Sequence, residues 1–289
     1  MQKIKDLKKN IYIYYEFYKR EFLSNLLLST IASKNNLKVY IGTNQVFNIL
    51  HKKNLINPGI FHTKSLSHGE FKSKFHKKLK KSNFLLTCID EEHGVIDKGS
   101  FDDLFIKPRI YSNDLDLCSA FFCWGKFDYN HLKKKFRKKV FYMTGSPRVD
   151  LWKTKFNFFW RPNPDKKKYF LFVSNFSFPN NQYSFKDIIK RKKYENYYRR
   201  SPNLLDEEIK YYNYQKASMI KFTRLIKNFS KKFPNEIIYL RPHPTEKIDY
   251  WKKHLSNLKN VFIKPEGELS FYIRGAECVI QDGCSSGIE

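Results

Sequence analysis

Cysteine is scarce in this chain and is never paired at short spacing. The 289 residues include five cysteines and no CxxC pair, namely Cys88, Cys118, Cys123, Cys278 and Cys284. An odd and scattered set, without a secretion signal, indicates reduced thiols rather than a disulfide framework. Cys88, Cys118 and Cys278 fall in or beside apolar runs, which predicts small core residues. No His/Cys cluster has the spacing of a metal site, so neither a metal nor another cofactor is expected.

Long apolar runs are also absent. No stretch approaches 18 consecutive apolar residues, so no transmembrane helix is predicted. The first six residues lack the apolar core of a signal peptide, which makes the cytoplasm the default localisation. With 41% hydrophobic and 17% aromatic residues, the composition favours packed cores over disorder. The length suffices for two domains of ordinary size.

Acidic residues are few relative to basic ones. The chain has 28 Asp and Glu against 55 Lys and Arg, a net charge of +27, with basic clusters at residues 77–81, 133–139 and 190–193. The favoured explanation is compositional bias in a chain rich in Lys, Asn, Ile, Phe and Tyr. Peripheral contact with anionic lipid at the inner membrane face comes second. Nucleic acid comes last, because the clusters lie on different predicted elements and no recognisable nucleic-acid-binding module surrounds them.

Strand patterns alternate with helix patterns along most of the chain. Short apolar runs predict strands at residues 11–15, 38–41, 59–62, 84–89, 120–124, 140–143, 169–173, 236–240, 261–263 and 278–280. Residues 152–168, with two prolines, are predicted to be a linker, and the polar residues 183–205 an insertion loop.

This alternation predicts an α/β fold of βαβ units with parallel sheets. We expect two Rossmann-like domains facing a cleft, over residues 1–155 and 156–289. The second domain is expected to be incomplete, because the sequence ends where a helix should begin.

Two polar turns follow apolar runs in the second half. Residues 237–240 lead into Arg241-Pro242-His243-Pro244, and residues 278–280 lead into residues 281–287. In open α/β sheets, ligands bind beyond the carboxyl ends of the strands. We therefore predict that four side chains converge on one anionic ligand: Arg241, His243, Ser285 and Ser286.

The residue types in these turns suit a phosphate. Two prolines would stiffen the first turn, His243 could stabilise charge on a departing phosphate, and Arg241 could add a bidentate contact. Hydroxyls and backbone N–H groups at a helix start, as in residues 283–287, also bind phosphate. The simpler alternatives are that His243 has only a structural role and that the serines of the second turn only cap a helix. Residues 283–287 also match Gly-x-Ser-x-Gly spacing, but no Asp/Glu and His follow to complete a hydrolase triad.

A third motif, Asp90-Glu91-Glu92-His93-Gly94, follows the predicted strand at 84–89. Adjacent carboxylates repel each other, so one of them can carry a raised pKa. A carboxylate at a strand end can serve as a general base toward a hydroxyl. A solvated acidic loop is the alternative, and it is the commoner origin of such a tripeptide.

The order of the three motifs resembles that of bacterial sialyltransferases and polysialyltransferases, and is similar in CDP-glycerol glycerophosphotransferases. More closely, the chain resembles the bacterial surface carbohydrate biosynthesis protein family of GT-B glycosyltransferases. The resemblance extends over most of the chain and lies in residues 19–28, 90–94, 122–125, 144–151, 241–246 and 283–289. It departs from the family pattern at His93, which stands where the acidic pair usually meets glycine directly.

This resemblance implies an inverting, metal-independent transfer from a nucleotide-sugar donor, CMP- or CDP-linked, to a surface-polysaccharide acceptor. Glu92, with Glu91 as second choice, would deprotonate a hydroxyl of a glycan or lipid-linked glycan. The donor phosphate would be held by Arg241, His243, Ser285, Ser286 and the Gly287 N–H, and the ribose by Glu289. Two alternatives stay open: a non-catalytic basic protein that binds nucleic acid or anionic lipid, and a nucleotide-sugar epimerase.

Overall fold

The protein has two parallel sheets with connecting helices, which confirms the predicted α/β fold with parallel sheets. A computed structural model describes residues 9–67, 69–92, 98–159, 168–195, 197–200, 203–283 and 287. The chain divides into two compact units, Met1–Phe156 and Asn157–Glu289, hereafter unit 1 and unit 2.

Unit 1 contains a six-stranded parallel sheet. Its strands are β1 (Asn10–Tyr14), β2 (Lys38–Gly42), β3 (Ile60–Thr63), β4 (Leu85–Ile89), β5 (Cys118–Cys123) and β6 (Phe141–Met143). They are ordered β2-β1-β3-β4-β5-β6, so the direction of winding reverses between β1 and β3. Such a reversal opens a crevice at the carboxyl ends of the two strands, where α/β proteins bind ligands.

Helices connect these strands and cover the sheet. They are α1 (Tyr18–Lys34), α2 (Asn44–Lys52), α3 (Glu70–Lys81), α4 (Lys107–Arg109), α5 (Ser112–Leu117), α6 (Lys126–Lys135) and α7 (Pro147–Asp150), with a π-helix at Asp102–Ile106 and 3₁₀ turns at Lys98–Ser100 and Thr154–Phe159. Helix α3 illustrates how these helices pack on the sheet. Phe75 and Leu79 are four residues apart and so lie on one face of the helix, and both are buried in the main core with Phe61 of β3. Each such side chain contributes about 2 kcal/mol of apolar burial.

Unit 2 contains a four-stranded parallel sheet. Its strands are β7 (Tyr169–Val173), β8 (Ile237–Arg241), β9 (Val261–Ile263) and β10 (Ala276–Gln281), in the order β10-β7-β8-β9. Gln281 of β10 lies opposite Val173 of β7, which lies opposite Arg241 of β8. The carboxyl ends of β8 and β10 therefore flank β7, about 10 Å apart at two inter-strand spacings.

The helices of unit 2 are α8 (Phe185–Tyr194), α9 (Leu204–Lys232), α10 (Ile248–Leu255) and α11 (Leu269–Gly275), with a 3₁₀ turn at Tyr197–Arg200. Helix α8 corrects the prediction of an insertion loop at residues 183–205. Ser184 caps its start, but Ile188 is its one buried residue, so its apolar periodicity is too sparse to read from sequence. Helix α8 packs against α9 through its aromatic side chain: the ring centroids of Phe185 and Tyr212 are stacked 4.1 Å apart.

Two further sequence predictions can be compared with the structure. Cys278, predicted to be a core residue, is exposed because β10 is an edge strand of its sheet. Of the other two predicted core cysteines, Cys88 is buried and Cys118 is half-buried. Cys123 is also buried, and Cys284 lies outside the described residues. Among the described helices, none is both long and apolar enough to cross a bilayer.

Candidate functional site

The acidic turn of unit 1 is held in place by backbone contacts at the carboxyl end of β4. The Glu91 N–H donates to the Lys64 carbonyl at 3.1 Å, and the Glu92 N–H donates to Asp90 Oδ1 at 3.0 Å. The indole N–H of Trp124, just after β5, donates to the Asp90 carbonyl at 2.9 Å. The turn is thus fixed from both neighbouring strands. His93 and Gly94 lie outside the described residues.

Glu92 is half-buried and lies between two cations. Arg109 Nη1 is 2.7 Å from Glu92 Oε2, and Lys64 Nζ is 3.4 Å from Glu92 Oε1. The Arg109 guanidinium also contacts Asp90, with Nε at 2.9 Å from both carboxylate oxygens. The carboxylates of Asp90 and Glu92 therefore serve as anchors of an ion-pair network.

Glu91 has a different environment from its neighbour. It is buried, and its Oε2 has no hydrogen-bond partner within the described part of the chain. Burial raises the pKa of Glu91 to about 7, against the opposing charge of Arg148 and with a further increase from Glu21. A carboxyl group with this pKa can accept and release a proton near neutral pH. The geometry favours Glu91 over Glu92 as the base, the reverse of the order expected from sequence.

Lys64 links the acidic turn to the start of α1. It follows β3 directly, and its Nζ lies 2.5 Å from Glu16 Oε2 and 2.9 Å from Glu21 Oε1. Lys64 and Glu21 are 4% and 1% exposed. Glu21 also accepts the Glu16 N–H at 2.7 Å, which holds the segment after β1 against the helix. This network occupies the point where the strand order reverses.

Sequence reasoning missed the cations of this network. Glu21 lies in a stretch that carries the family resemblance, but no role follows for it from sequence. Lys64 and Arg109 lie in no motif, and single basic residues carry no signal in a chain with 55 of them.

The stretch 144–151 supplies a further cation to the acidic turn. Gly145 turns the chain after β6 with a φ of +80°, a conformation that favours glycine. Ser146 then caps α7, which carries the buried Arg148. Arg148 acts electrostatically on Glu91, and its guanidinium lies 5.7 Å from the Trp152 ring. The motif therefore positions a cation near Glu91.

Arg241, at the end of β8, contacts backbone carbonyls. Its Nη1 donates to the carbonyls of Lys264 and Glu266, each at 2.7 Å, and its Nη2 donates to that of Gly267. The side chain is buried, with its guanidinium 5.4 Å from the ring of Tyr272. These contacts hold the loop between β9 and α11. The structure thus gives Arg241 a set of partners that differs from the expected phosphate.

His243 is half-buried in the turn after β8, and its tautomer can be inferred from its contacts. The Thr245 backbone N–H donates to Nδ1 at 3.3 Å, and Thr245 Oγ1 lies 2.9 Å from the same atom. A nitrogen that accepts an N–H carries no proton itself, so the proton of the neutral ring is on Nε2. In this tautomer Nε2 can donate to a phosphate oxygen.

Glu246 organises the turn that carries His243. Its buried carboxylate accepts from Ser174 Oγ at 3.0 Å, the Phe176 N–H at 2.9 Å, Trp251 Nε1 at 2.8 Å and the His243 N–H at 3.3 Å. These donors come from the end of β7, from α10 and from the turn itself. Glu246 therefore fixes the backbone at His243, although the sequence suggested no role for it.

The second predicted phosphate turn is only partly described. Ser285, Ser286 and Glu289 lie outside the described residues. Gly283 has a φ of +57°, and burial raises the pKa of the neighbouring Asp282. Gly287 is exposed, and a Cβ there would lie 3.1 Å from Gln281 Nε2. The structure places the start of this turn and the turn of His243 at the same edge of the unit 2 sheet.

Among the described residues, no group of three or more His, Cys, Asp and Glu side chains could hold a metal ion. No protein-family model, curated protein sequence or solved structure matches this chain.

Proposed function

We propose that the protein is an inverting, metal-independent glycosyltransferase of the GT-B type, similar to the bacterial surface carbohydrate biosynthesis family. In this proposal the acceptor binds to unit 1 and a nucleotide-sugar donor binds to unit 2. The observation that carries the proposal is Glu91, a buried carboxyl group at a strand end with a pKa of about 7, one oxygen of which has no hydrogen-bond partner among the described residues. Such a group suits a general base.

In the proposed reaction, Glu91 takes the proton of an acceptor hydroxyl. The hydroxyl oxygen forms a bond to the anomeric carbon of the donor as the bond from that carbon to the nucleotide phosphate breaks, with inversion. The bonding electrons go to the phosphate, and the Nε2–H of His243 donates to the departing oxygen. Lys64 and Arg109 hold Asp90 and Glu92, and so keep the base in position.

The remaining parts of the proposal follow from the family resemblance. Ser285, Ser286 and the Gly287 N–H add donors to the phosphate, and Glu289 binds the ribose. The donor is CMP- or CDP-linked, and the acceptor is a glycan or a lipid-linked glycan. From the charge of the chain, and not from the resemblance, we also propose peripheral contact with the inner membrane face through basic residues, without a specific nucleic-acid partner.

Nucleotide binding and nucleotide release test the proposal. CMP or CDP, but not UDP or GDP, is expected to raise the Tm, because binding to the folded state stabilises it. With donor sugar present, free nucleotide should appear only when an acceptor glycan is added, and Glu91→Gln should abolish the release. Glu207→Gln, an exposed carboxylate on α9, is the matched control. Salt-sensitive binding to RNA or lipid without any nucleotide-induced shift in Tm would instead support the basic binding protein.

A further inference from the structure

Lys72, on α3, has hydroxyls as its partners. Its Nζ lies 3.0 Å from Ser65 Oγ and 2.8 Å from Ser67 Oγ, and these two oxygens are 3.1 Å apart. Across the described ranges of the chain, no carboxylate lies within salt-bridge distance of Lys72. The local compensation of its positive charge thus comes from dipoles, in contrast to Lys64 and Arg109.

The two serines are presented together by the chain after β3. In an extended segment alternate side chains point to the same side, so Ser65 and Ser67 share one side while Leu66 points away. Leu66 is fully buried, its carbonyl accepts the Tyr111 N–H at 3.0 Å, and it bridges to Ile110. The backbone between the serines is therefore fixed, and the hydroxyls are held in place for Lys72.

Burial is the main influence on the charge of Lys72. Burial lowers its pKa, Lys64 and Arg109 lower it further, and Glu16 opposes them. Cys88 also opposes them. Burial and neighbouring cations disfavour the charged form of Lys72. A bound anion would stabilise that charged form. This position lies at the reversal between β1 and β3, where α/β sheets bind ligands.

We propose that Ser65, Ser67 and Lys72 form an oxyanion site in unit 1 that binds a phosphate or carboxylate group. Two of the three Lys72 N–H groups reach the serine oxygens, and the third is available to the anion. One of the two serine hydroxyl hydrogens is used in the contact between the serines, and the other supplies a further donor to the anion. The site is separate from the nucleotide phosphate site proposed for unit 2, and it does not depend on transferase activity.

Calorimetric titration of the full chain tests this site. The probes are inorganic phosphate, glucose 6-phosphate and galacturonate, with glucose and galactose as neutral controls. All proteins carry His243→Ala, which weakens phosphate binding in unit 2. Lys72→Met should weaken binding of the anion about ten-fold or more, the loss expected when one charge-assisted hydrogen bond is removed. Lys74→Met, on the same helix and paired with Glu70 at the surface, should change it less than two-fold, about 0.4 kcal/mol.

The double variant Ser65→Ala/Ser67→Ala provides a second measurement if Lys72→Met fails to fold. It retains the charge but removes the hydroxyls, and it should also weaken anion binding. Preference between glucose 6-phosphate and galacturonate identifies the anionic group. Equal binding by Lys72→Met and its parent, equal loss in Lys74→Met, or no binding of any anionic probe would overturn the proposal. Because His243 is absent throughout, any of these outcomes leaves the transferase proposal to be judged by its own experiment.

Discussion

At the residue scale, two adjacent glutamates in one turn have opposite environments. Glu92 is paired with Lys64 and Arg109, whereas Glu91 is buried and its Oε2 has no hydrogen-bond partner in the part of the chain that the structure describes. Environments that separate two neighbouring carboxyl groups in this way are typical of acid–base sites. The difference allows the two residues to be distinguished by experiment.

The first prediction concerns catalysis and pH. Because the base must be deprotonated and the pKa of Glu91 is about 7, kcat/KM should fall as pH decreases through about 7. Glu91→Gln should abolish activity, and Glu92→Gln should lower it about ten-fold through loss of positioning. The measurement is nucleotide release against pH for both variants. Complete loss in Glu92→Gln with activity retained in Glu91→Gln would reassign the base to Glu92.

The second prediction concerns stability and needs no substrate. The pKa of Glu91 rises from 4.5 to about 7 on folding, so the folded protein binds more protons than the unfolded chain between these pH values. Below pH 4.5 Glu91 is protonated in both the folded and the unfolded state. As pH rises from 4.5 through about 7, the free energy of unfolding decreases, because the unfolded chain ionises this group more readily than the folded protein does. Glu91→Gln should therefore raise stability at pH 8 by up to about 3 kcal/mol relative to the parent. Urea unfolding at pH 5 and pH 8 measures the difference, which should shrink at the lower pH.

The third prediction concerns Arg241. Its three contacts with backbone carbonyls predict that Arg241→Met lowers the free energy of unfolding by about 3 kcal/mol. Arg224→Met, at an exposed position on α9, is the control and should change stability by less than about 0.5 kcal/mol. Urea unfolding would reveal the difference. Unchanged stability, together with weakened nucleotide binding, would return Arg241 to the phosphate site expected from sequence.

At the element scale, one carboxylate joins three pieces of unit 2. Glu246 receives donors from the end of β7, from the turn after β8 and from Trp251 of α10. Burial raises the pKa of Glu246, and these donors oppose the increase. The turn that carries His243 therefore owes its shape to contacts between elements as well as to its prolines.

The fourth prediction follows from this arrangement. Glu246→Gln replaces an acceptor by a group with its own N–H donors, which would face the donors of the parent protein. We expect a loss of about 3 kcal/mol in stability, and a lower affinity for nucleotide because the His243 backbone is released. Glu236→Gln, exposed just before β8, is the control. Parent-like unfolding together with parent-like nucleotide affinity would show that Glu246 does not organise this turn.

At the scale of the whole molecule, charge is the dominant feature. The net charge is +27, and some of the basic residues make contacts within the protein. Lys192 of the third cluster pairs with Glu208, and its Nζ lies 4.8 Å from the centroid of the Tyr197 ring. Lys139 of the second cluster pairs with Asp116. By contrast, the lysines at 77–81 are exposed on α3, with no salt bridge to any described carboxylate. This cluster is the one best suited to an external anionic partner.

The fifth prediction tests that cluster against a membrane surface. Vesicles that contain phosphatidylglycerol should bind the protein at about 50 mM salt and release it by about 200 mM, since screening removes surface attraction. Replacing Lys77, Lys78, Lys80 and Lys81 by Gln should remove up to about 1 kcal/mol of binding per lysine. Co-sedimentation measures both effects. Replacing four dispersed, exposed lysines of α9 by Gln (Lys210, Lys216, Lys221 and Lys231) is the control, and equal losses in both variants would show that only total charge matters.

The sequence by itself determined the alternation of strands and helices, and with it the parallel sheets and the position of the polar turns at strand ends. These follow from local patterns: short apolar runs, breakers and amphipathic spacing act within a few residues. Only the tertiary structure decided the partners of the charged groups. Lys64 meets Glu21 across 43 positions of sequence, and Arg241 meets carbonyls 23 to 26 positions away, so no local pattern records these contacts. They depend on strand order and register, and for that reason only the fold distinguishes Glu91 from Glu92.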